Sequence, residues 1–272
     1  MDDATPGAIA PVLLVGAGRL GGALIQGWTA TGAVRPADLI ILAPRPGRIA
    51  QEAAAAGAKL NPPEAELSRA RTVVLAVKPQ VWREVAAALE PHLGRDAVVV
   101  SVAAGVKVAD LRSAFGGRGA ARTIPTTAVA VGKGAAAIFA PDPIAHGAAH
   151  GVLDPIATCV DLPEEEQMDL VIGVCGSAPG FFYAFVEALE NAGIAAGLPP
   201  EASRTLARVT IAGSAALMAD TGEDPADLRR EVASPKGTTE AGLSVLGGEA
   251  GLPGLLRQAV VKAAERAREL GA

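Results

Sequence analysis

Gly16, Gly18 and Gly21 follow directly on the apolar run Val12-Leu13-Leu14-Val15 and open a segment of helical character. A glycine turn between a strand and a helix is the pattern that holds a dinucleotide pyrophosphate. The first glycine permits the tight turn, the second lets the backbone approach the phosphates, and the third lets the helix pack close to the strand. Free N–H groups and partial positive charge at the helix start then favour an anion. Val15, Gly16, Ala17, Gly18, Arg19, Leu20 and Gly21 are therefore candidate cofactor contacts. An ordinary glycine-rich turn is the weaker alternative.

The second apolar run ends Leu42-Ala43-Pro44-Arg45-Pro46-Gly47-Arg48. An Asp or Glu there would accept hydrogen bonds from the adenosine ribose of NAD; none is present. Arg45 and Arg48 could pair with a 2'-phosphate, so NADPH is favoured over NADH, or they could simply begin a solvated helix. A further buried run ends Ala76-Val77-Lys78-Pro79 at the sheet edge where ligands bind in such folds. Lys78 could lie over the cofactor or emerge into solvent.

Ser234-Pro235-Lys236-Gly237-Thr238-Thr239 leads into a helix and offers backbone N–H groups beside hydroxyls, a geometry suited to a small carboxylate. The same residues also read as a plain N-cap, with Ser234 or Thr238 capping and Glu240 as a favourable charge. His146 and His150 are four apart and could share a helix face, but a solvated face outweighs a ligand pair without Cys or carboxylate support, so no metal is expected. Cys159 and Cys175 are too isolated for a disulfide framework and read as free thiols.

These residues need a scaffold. From about residue 12 to 140, β-branched runs alternate with Ala-rich helical segments, the pattern of a doubly wound parallel sheet. Strands are predicted at Val12–Val15, Leu39–Leu42, Thr72–Val77, Ala97–Ser101, Arg122–Ile124 and Ala136–Phe139, with helices over Leu20–Thr31 and from Pro79 to about Glu90. Beyond Asp161 the signals are helical: Pro163–Gly173, Pro179–Ala196, Pro200–Thr221, Asp224–Val232, Thr239–Leu246 and Leu252–Leu270. The expectation is a Rossmann dinucleotide-binding domain over 1–162 and an all-helical domain over 163–272. Two central helices are apolar all round, for example at Phe181, Phe185 and Leu189 and at Leu206, Val209 and Leu217, so a second subunit is expected to cover them.

Half of the 272 residues are hydrophobic but only 3% aromatic, which suits closely packed helices with small side chains. A net charge of -5 provides no basic surface for a nucleic acid. No stretch reads as the roughly 18 apolar residues of a membrane span, because Arg19, Lys78, Lys107 and Lys133 interrupt the best candidates. The acidic start Met1-Asp2-Asp3 is unlike a secretory signal and suggests a cytoplasmic location.

Three more segments, in order with those above, resemble the pyrroline-5-carboxylate reductase family over nearly the whole chain. Arg122-Thr123-Ile124-Pro125-Thr126-Thr127 resembles the family's Arg-x-Met-Pro-Asn-Thr, and Gly176-Ser177-Ala178-Pro179-Gly180 its Gly-Ser-Gly-Pro-Ala. Ala233-Ser234-Pro235-Lys236-Gly237-Thr238-Thr239 is similar to its Thr-Ser-Pro-Gly-Gly-Thr-Thr, and Thr221–Pro225 and Asp227–Arg229 also fit. The resemblance implies that NADPH reduces 1-pyrroline-5-carboxylate to L-proline by direct hydride transfer. It implies that Ser234, Gly237 and Thr238 hold the substrate carboxylate and that Thr239, the candidate catalytic residue, reaches the ring nitrogen. Pro125 and Thr126 become substrate contacts and Ala104 a cofactor contact, in a homodimer that could assemble further. Thr126, Ile124, Ala128, Lys236 and Glu64 depart from the family pattern. A six-membered piperideine carboxylate, or a dinucleotide-binding regulatory role without turnover, therefore stays open.

Overall fold

The computed structural model describes residues 9–248 and 250–271; the acidic start Met1-Asp2-Asp3 lies outside them. Among the described residues, eight strands form one sheet: β1 (Val12–Val15), β2 (Leu39–Leu42), β3 (Lys59–Leu60), β4 (Thr72–Leu75), β5 (Val98–Ser101), β6 (Ala120–Pro125), β7 (Gly134–Phe139) and β8 (Ala157–Asp161). The helices are α1 (Arg19–Thr31), α2 (Arg48–Ala55), α3 (Trp82–Leu89), α4 (Val108–Ala114), α5 (Pro143–Leu153), α6 (Gln167–Val171), α7 (Ala178–Ala195), α8 (Pro200–Thr221), α9 (Pro225–Val232), α10 (Thr238–Leu246) and α11 (Leu252–Gly271). A sheet domain followed by helices is the architecture expected from the sequence.

The sheet order is β3-β2-β1-β4-β5-β6-β7-β8. Its pairs are parallel except β6 with β7, which is antiparallel. The eight residues from Thr126 to Lys133 are too few for the crossover that parallel neighbours require. This reverses the last two strands, so the doubly wound sheet is mostly parallel. Strand alternation sends successive side chains to opposite faces. Val12 and Leu14 of β1 join a core with Leu24 and Trp28 of α1 and Val152 of α5. Leu13 and Val15 join a second core with Trp82 and Ala86 of α3 and Leu111 of α4. Trp28 Nε1 donates to the Val152 carbonyl at 2.7 Å, tying α1 to α5.

Several boundaries differ from expectation. Pro79 does not open α3, which starts at Trp82 after a turn in which Val81 N bonds the Lys78 carbonyl at 3.1 Å. β3 and β8 carry no apolar alternation to announce them: β3 is two residues long, and most of the β8 positions Ala157-Thr158-Cys159-Val160-Asp161 are exposed or half-exposed. The predicted Pro163–Gly173 helix is in fact α6 followed by a π turn, Ile172–Gly176.

Two compact units emerge: one runs to Gly176 and takes in the segment from Lys262, and the other is Ser177–Val261. The first thus continues past the composition change at Leu162-Pro163, because Met168 packs with Ile124 and Ala137. In the second unit only Ser203, Ala207 and Gly254 are buried among the described residues, although α7 and α8 pack together. Phe182, Tyr183, Phe185 and Leu189 of α7 and Leu206, Val209, Leu217 and Met218 of α8 are exposed. The run Gln167–Ala195 is also long and apolar enough to cross a membrane by length and composition, which corrects the reading that no stretch qualifies. Its Leu170–Val186 portion carries no charged residue, a feature hidden by its interspersed glycines.

Arg122 of β6 is almost fully buried and donates through one terminal nitrogen to Asp169 Oδ1 on α6 at 2.5 Å. Its Nε has no partner among the described residues and Glu165 stands 3.9 Å from its other terminal nitrogen, so Asp169 makes the closest contact that compensates the buried guanidinium. Removing one member of such a pair costs far more than replacing both with apolar groups. Asp169→Ala is expected to lower the unfolding free energy measured in urea by about 3 kcal/mol. Adding Arg122→Met to it should recover most of that loss; equal destabilisation in the double variant would show that the ion pair is not the cause.

Candidate functional site

The turn from β1 to α1 is made by backbone against backbone. Gly16 has φ +97°, and a Cβ there would stand 2.5 Å from the Ala76 carbonyl oxygen. A Cβ on Gly21 would stand 2.0 Å from the Gly16 carbonyl oxygen. Gly16 N bonds the Leu42 carbonyl and Ala76 N the Val15 carbonyl, each at 2.8 Å, so the ends of β1, β2 and β4 are stitched at one level. Gly18, the N-cap of α1, faces open space: nothing lies within 4 Å of a Cβ built there. No side chain caps α1.

These elements border a cleft of about 660 Å³ lined by Val15, Gly16, Ala17, Gly18, Arg45, Ala76, Val77 and Lys78 among others. Eight expected cofactor residues thus meet at one wall. Arg19, Leu20 and Gly21 form the start of α1 behind the turn, and Pro79 lies just beyond Lys78; none of these borders the cleft. Ala104 sits in the turn after β5, also outside the lining. Arg45 is exposed at the cleft and has no ion-pair partner among the described residues, whereas Arg48 donates to Glu52 at 2.5 Å. Of the two arginines considered for a 2'-phosphate, Arg45 is the one the cleft brings in. Glu64 instead lies 3.3 Å from His92 Nε2.

Asn61 is a residue the sequence reading passed over. Its side chain accepts from Ala43 N at 2.8 Å and donates to the Ala43 carbonyl at 2.9 Å, closing a two-bond clamp on the end of β2. It adopts φ +46°, a conformation Asn tolerates better than most residues. The clamp fixes the backbone two residues before Arg45. A polar residue after a short edge strand was the only signal that could have marked it.

Pro125 ends β6, opposite Ala136. Thr126 follows, and its polar groups are engaged locally: its N donates to the Ala135 carbonyl at 2.9 Å, its Oγ1 accepts from Ala135 N at 3.1 Å and its carbonyl accepts from Val129 N at 3.2 Å. A threonine here closes the β6–β7 end. Cys175 donates to the Ile124 carbonyl at 3.4 Å, and burial pushes its pKa up, so it is a thiol and a poor nucleophile.

The second unit contains the Ser234–Thr239 loop. Gly237 is the N-cap of α10, with no side-chain cap; neither Ser234 nor Thr238 takes the capping role considered for it. Gly237 N bonds the Ser234 carbonyl at 2.9 Å, and the Ser234 hydroxyl lies so close that a Cβ on Gly237 would meet it at 2.3 Å. Glu240 folds back to accept from Lys236 N at 2.6 Å. Lys236, standing where the family pattern has glycine, adopts φ +59°. Among the described residues, the hydroxyls of Ser234, Thr238 and Thr239 have no partner within the chain. Three hydroxyls and a helix N-terminus are thus gathered in six residues, a set of donors for a small anion.

The chain matches the family model "Pyrroline-5-carboxylate reductase dimerisation" over residues 165–270. It matches "NADP oxidoreductase coenzyme F420-dependent" over 11–105. It is 32% identical over 258 residues to the pyrroline-5-carboxylate reductase of Pisum sativum, covering 94% of each chain. The corresponding protein of Pseudomonas aeruginosa is 33% identical over 264 residues, 95% of this chain and 96% of that one. Among solved structures, a pyrroline-5-carboxylate reductase from Coxiella burnetii aligns with TM-score 0.86 and 27% identity over 97% of this chain and 99% of that one. The Plasmodium falciparum pyrroline carboxylate reductase with NADP bound shares the fold, with TM-score 0.83 and 22% identity over 97% and 98% of the two chains.

The three turn glycines separate by what surrounds them. Gly18→Ala is expected to leave thermal stability unchanged while weakening dinucleotide binding at least about tenfold, since the added methyl occupies the space that a pyrophosphate would approach. Gly21→Ala should instead lower the melting temperature, because its methyl meets backbone. Calorimetric binding and thermal unfolding of the two variants check this; equal loss of stability in both would contradict it.

Proposed function

Because the chain belongs to the pyrroline-5-carboxylate reductase family, we propose that it reduces 1-pyrroline-5-carboxylate to L-proline with NADPH. What carries this reading is the α10 N-terminus, where Gly237 takes the cap position and the Ser234, Thr238 and Thr239 hydroxyls have no internal partner among the described residues. Bound NADPH supplies the hydride that reduces the C=N bond. Support for this cofactor is the fit of the first unit: open space at Gly18, a cleft bordered by the glycine turn, and an Arg45 that lines this cleft, has no ion-pair partner among the described residues and could pair with a 2'-phosphate.

In this reading Ser234, Gly237 and Thr238 hold the substrate carboxylate, and Thr239 orients the ring nitrogen. The iminium carbon is already electrophilic when the nitrogen is protonated, so the protein's task is orientation, which can lower a barrier by roughly 7 to 11 kcal/mol. That task needs neither a metal nor an acid and base pair. Pro125 and Thr126 are carried as substrate contacts and Ala104 as a cofactor contact on family resemblance alone.

The proposal extends to a homodimer through α7 and α8, whose exposed aromatic and aliphatic side chains form the kind of patch that marks an interface. A cytoplasmic location completes it, resting on the composition.

NADPH oxidation on adding racemic pyrroline-5-carboxylate is the direct test. Turnover is expected, and Thr239→Ala should lower kcat/KM by about a hundredfold. Arg45→Ala should shift the preference from NADPH toward NADH. Activity confined to the six-membered piperideine carboxylate would move the substrate, and no turnover with either imine would reject the enzymatic reading. Light scattering should give a dimer; a monomer at micromolar concentration would remove that part.

A further inference from the structure

Asp154 stands four residues after His150 in the sequence, and the fold brings a second carboxylate, Asp161, to both histidines. Both lie on α5, one turn apart, and β8, the edge strand next to it, ends at Asp161. His146 Nε2 is 3.0 Å from Asp161 Oδ1, and His150 Nε2 is 3.1 Å from the same oxygen. The two rings are 4.5 Å apart between centroids. One ligand atom from each of the three residues lies within 4.8 Å of the others.

On the far side of His150, Nδ1 is 2.9 Å from Asp154 Oδ1. A neutral imidazole carries a single N–H. If Nδ1 donates it to Asp154, Nε2 turns a lone pair toward the Asp161 carboxylate. Two acceptors 3.1 Å apart need a cation between them. A carboxylate that fixes the tautomer of a histidine while its other nitrogen faces outward is also the usual outer support of a metal-binding histidine.

We propose that His146 Nε2, His150 Nε2 and the Asp161 carboxylate form a binding site for a divalent transition metal of the zinc type, with Asp154 orienting His150. Two imidazoles and a carboxylate are a donor set that zinc accepts, with bonds near 2.0 to 2.2 Å. Ligand atoms around a tetrahedral ion at those bond lengths stand about 3.3 Å apart, close to the two His–Asp separations here. Asp161 is exposed, which leaves the remaining coordination position to water. The ion would clip the edge strand β8 to α5. This site is at the opposite end of the sheet order from β1 and β2, and it stands independently of the imine reductase reading.

The test is calorimetric titration of the full-length, chelator-treated protein with ZnCl₂ near neutral pH, with far-UV circular dichroism to confirm that each variant folds. One Zn²⁺ per chain is expected to bind saturably. His146→Ala and Asp161→Asn should each weaken it by more than about tenfold, and Asp154→Asn by about 10- to 100-fold. His92→Ala, which leaves the three ligands and Asp154 in place, should bind as the unaltered protein does. Co²⁺ in place of Zn²⁺ should give visible absorption that His146→Ala removes. No saturable binding, or binding that His146→Ala and Asp161→Asn leave unchanged, would overturn the proposal and leave a proton as the cation between these groups. Should one of those two variants fail to fold, the other decides.

Discussion

The first unit depends on a place where side chains are not tolerated. At Gly16 and Gly21 the chain passes within 2.5 Å and 2.0 Å of where a Cβ would meet a carbonyl oxygen. Those approaches set the start of α1 against the ends of β1 and β4, and the Gly16–Leu42 hydrogen bond adds β2 to the same level. A larger residue at either position would push the helix from the sheet, and the wall of the cleft would go with it. Gly18 belongs to the same motif for the opposite reason: it has nothing to collide with, and its lack of a side chain matters only to something that approaches from outside.

This explains why the glycine turn was legible in the sequence. A backbone constraint that a single residue type satisfies leaves its mark at fixed spacing. The buried strands were legible for a similar reason, since β1, β2, β4 and β5 are apolar on both faces, as a doubly covered sheet requires. β3 and β8 are edge strands with mixed burial, so little in their composition separates them from loops. The antiparallel turn at Thr126–Lys133 was readable only from loop length, because nothing in β6 or β7 themselves favours one direction. Asn61 and Asp169 escaped for a different reason. Each acts through a partner far along the chain, Ala43 and Arg122, and sequence spacing holds no record of such pairs.

The helical unit presents a converse case. Its sequence showed helices apolar on every side, and α8 came out over the span expected, Pro200–Thr221. Within the chain α7 and α8 are joined by polar contacts: Ser203 Oγ donates to the Glu190 carbonyl at 2.7 Å, and Arg208 Nε donates to Glu190 Oε1 at 2.6 Å. The hydrogen bond from Arg208 holds the Glu190 carboxyl below its ordinary pKa. With two polar anchors on one side and phenylalanine, tyrosine and leucine exposed on the rest, the pair has a large apolar area left over. Burial of such area is the main favourable term in association, which is why helices apolar on every side led to the expectation of a partner.

Lys236 illustrates how a loop can keep its shape when its residue changes. The left-handed conformation it adopts costs a residue with a Cβ roughly 1 to 2 kcal/mol relative to glycine. Such strain persists where neighbouring interactions over-determine the backbone. Here they are the Lys236 N–H to Glu240 and the Gly237 N–H to the Ser234 carbonyl, one on each side of the strained residue. The loop geometry is thus set by its hydrogen bonds, and the glycine of the family pattern eased that geometry without creating it. What lysine adds is a positive charge in a loop whose other donors are backbone N–H groups and hydroxyls. For an anion that increases the attraction, whereas for the ring it changes nothing by itself. Under the proposed reading of this loop, the departure bears on how strongly a carboxylate is held more than on which ring carries it.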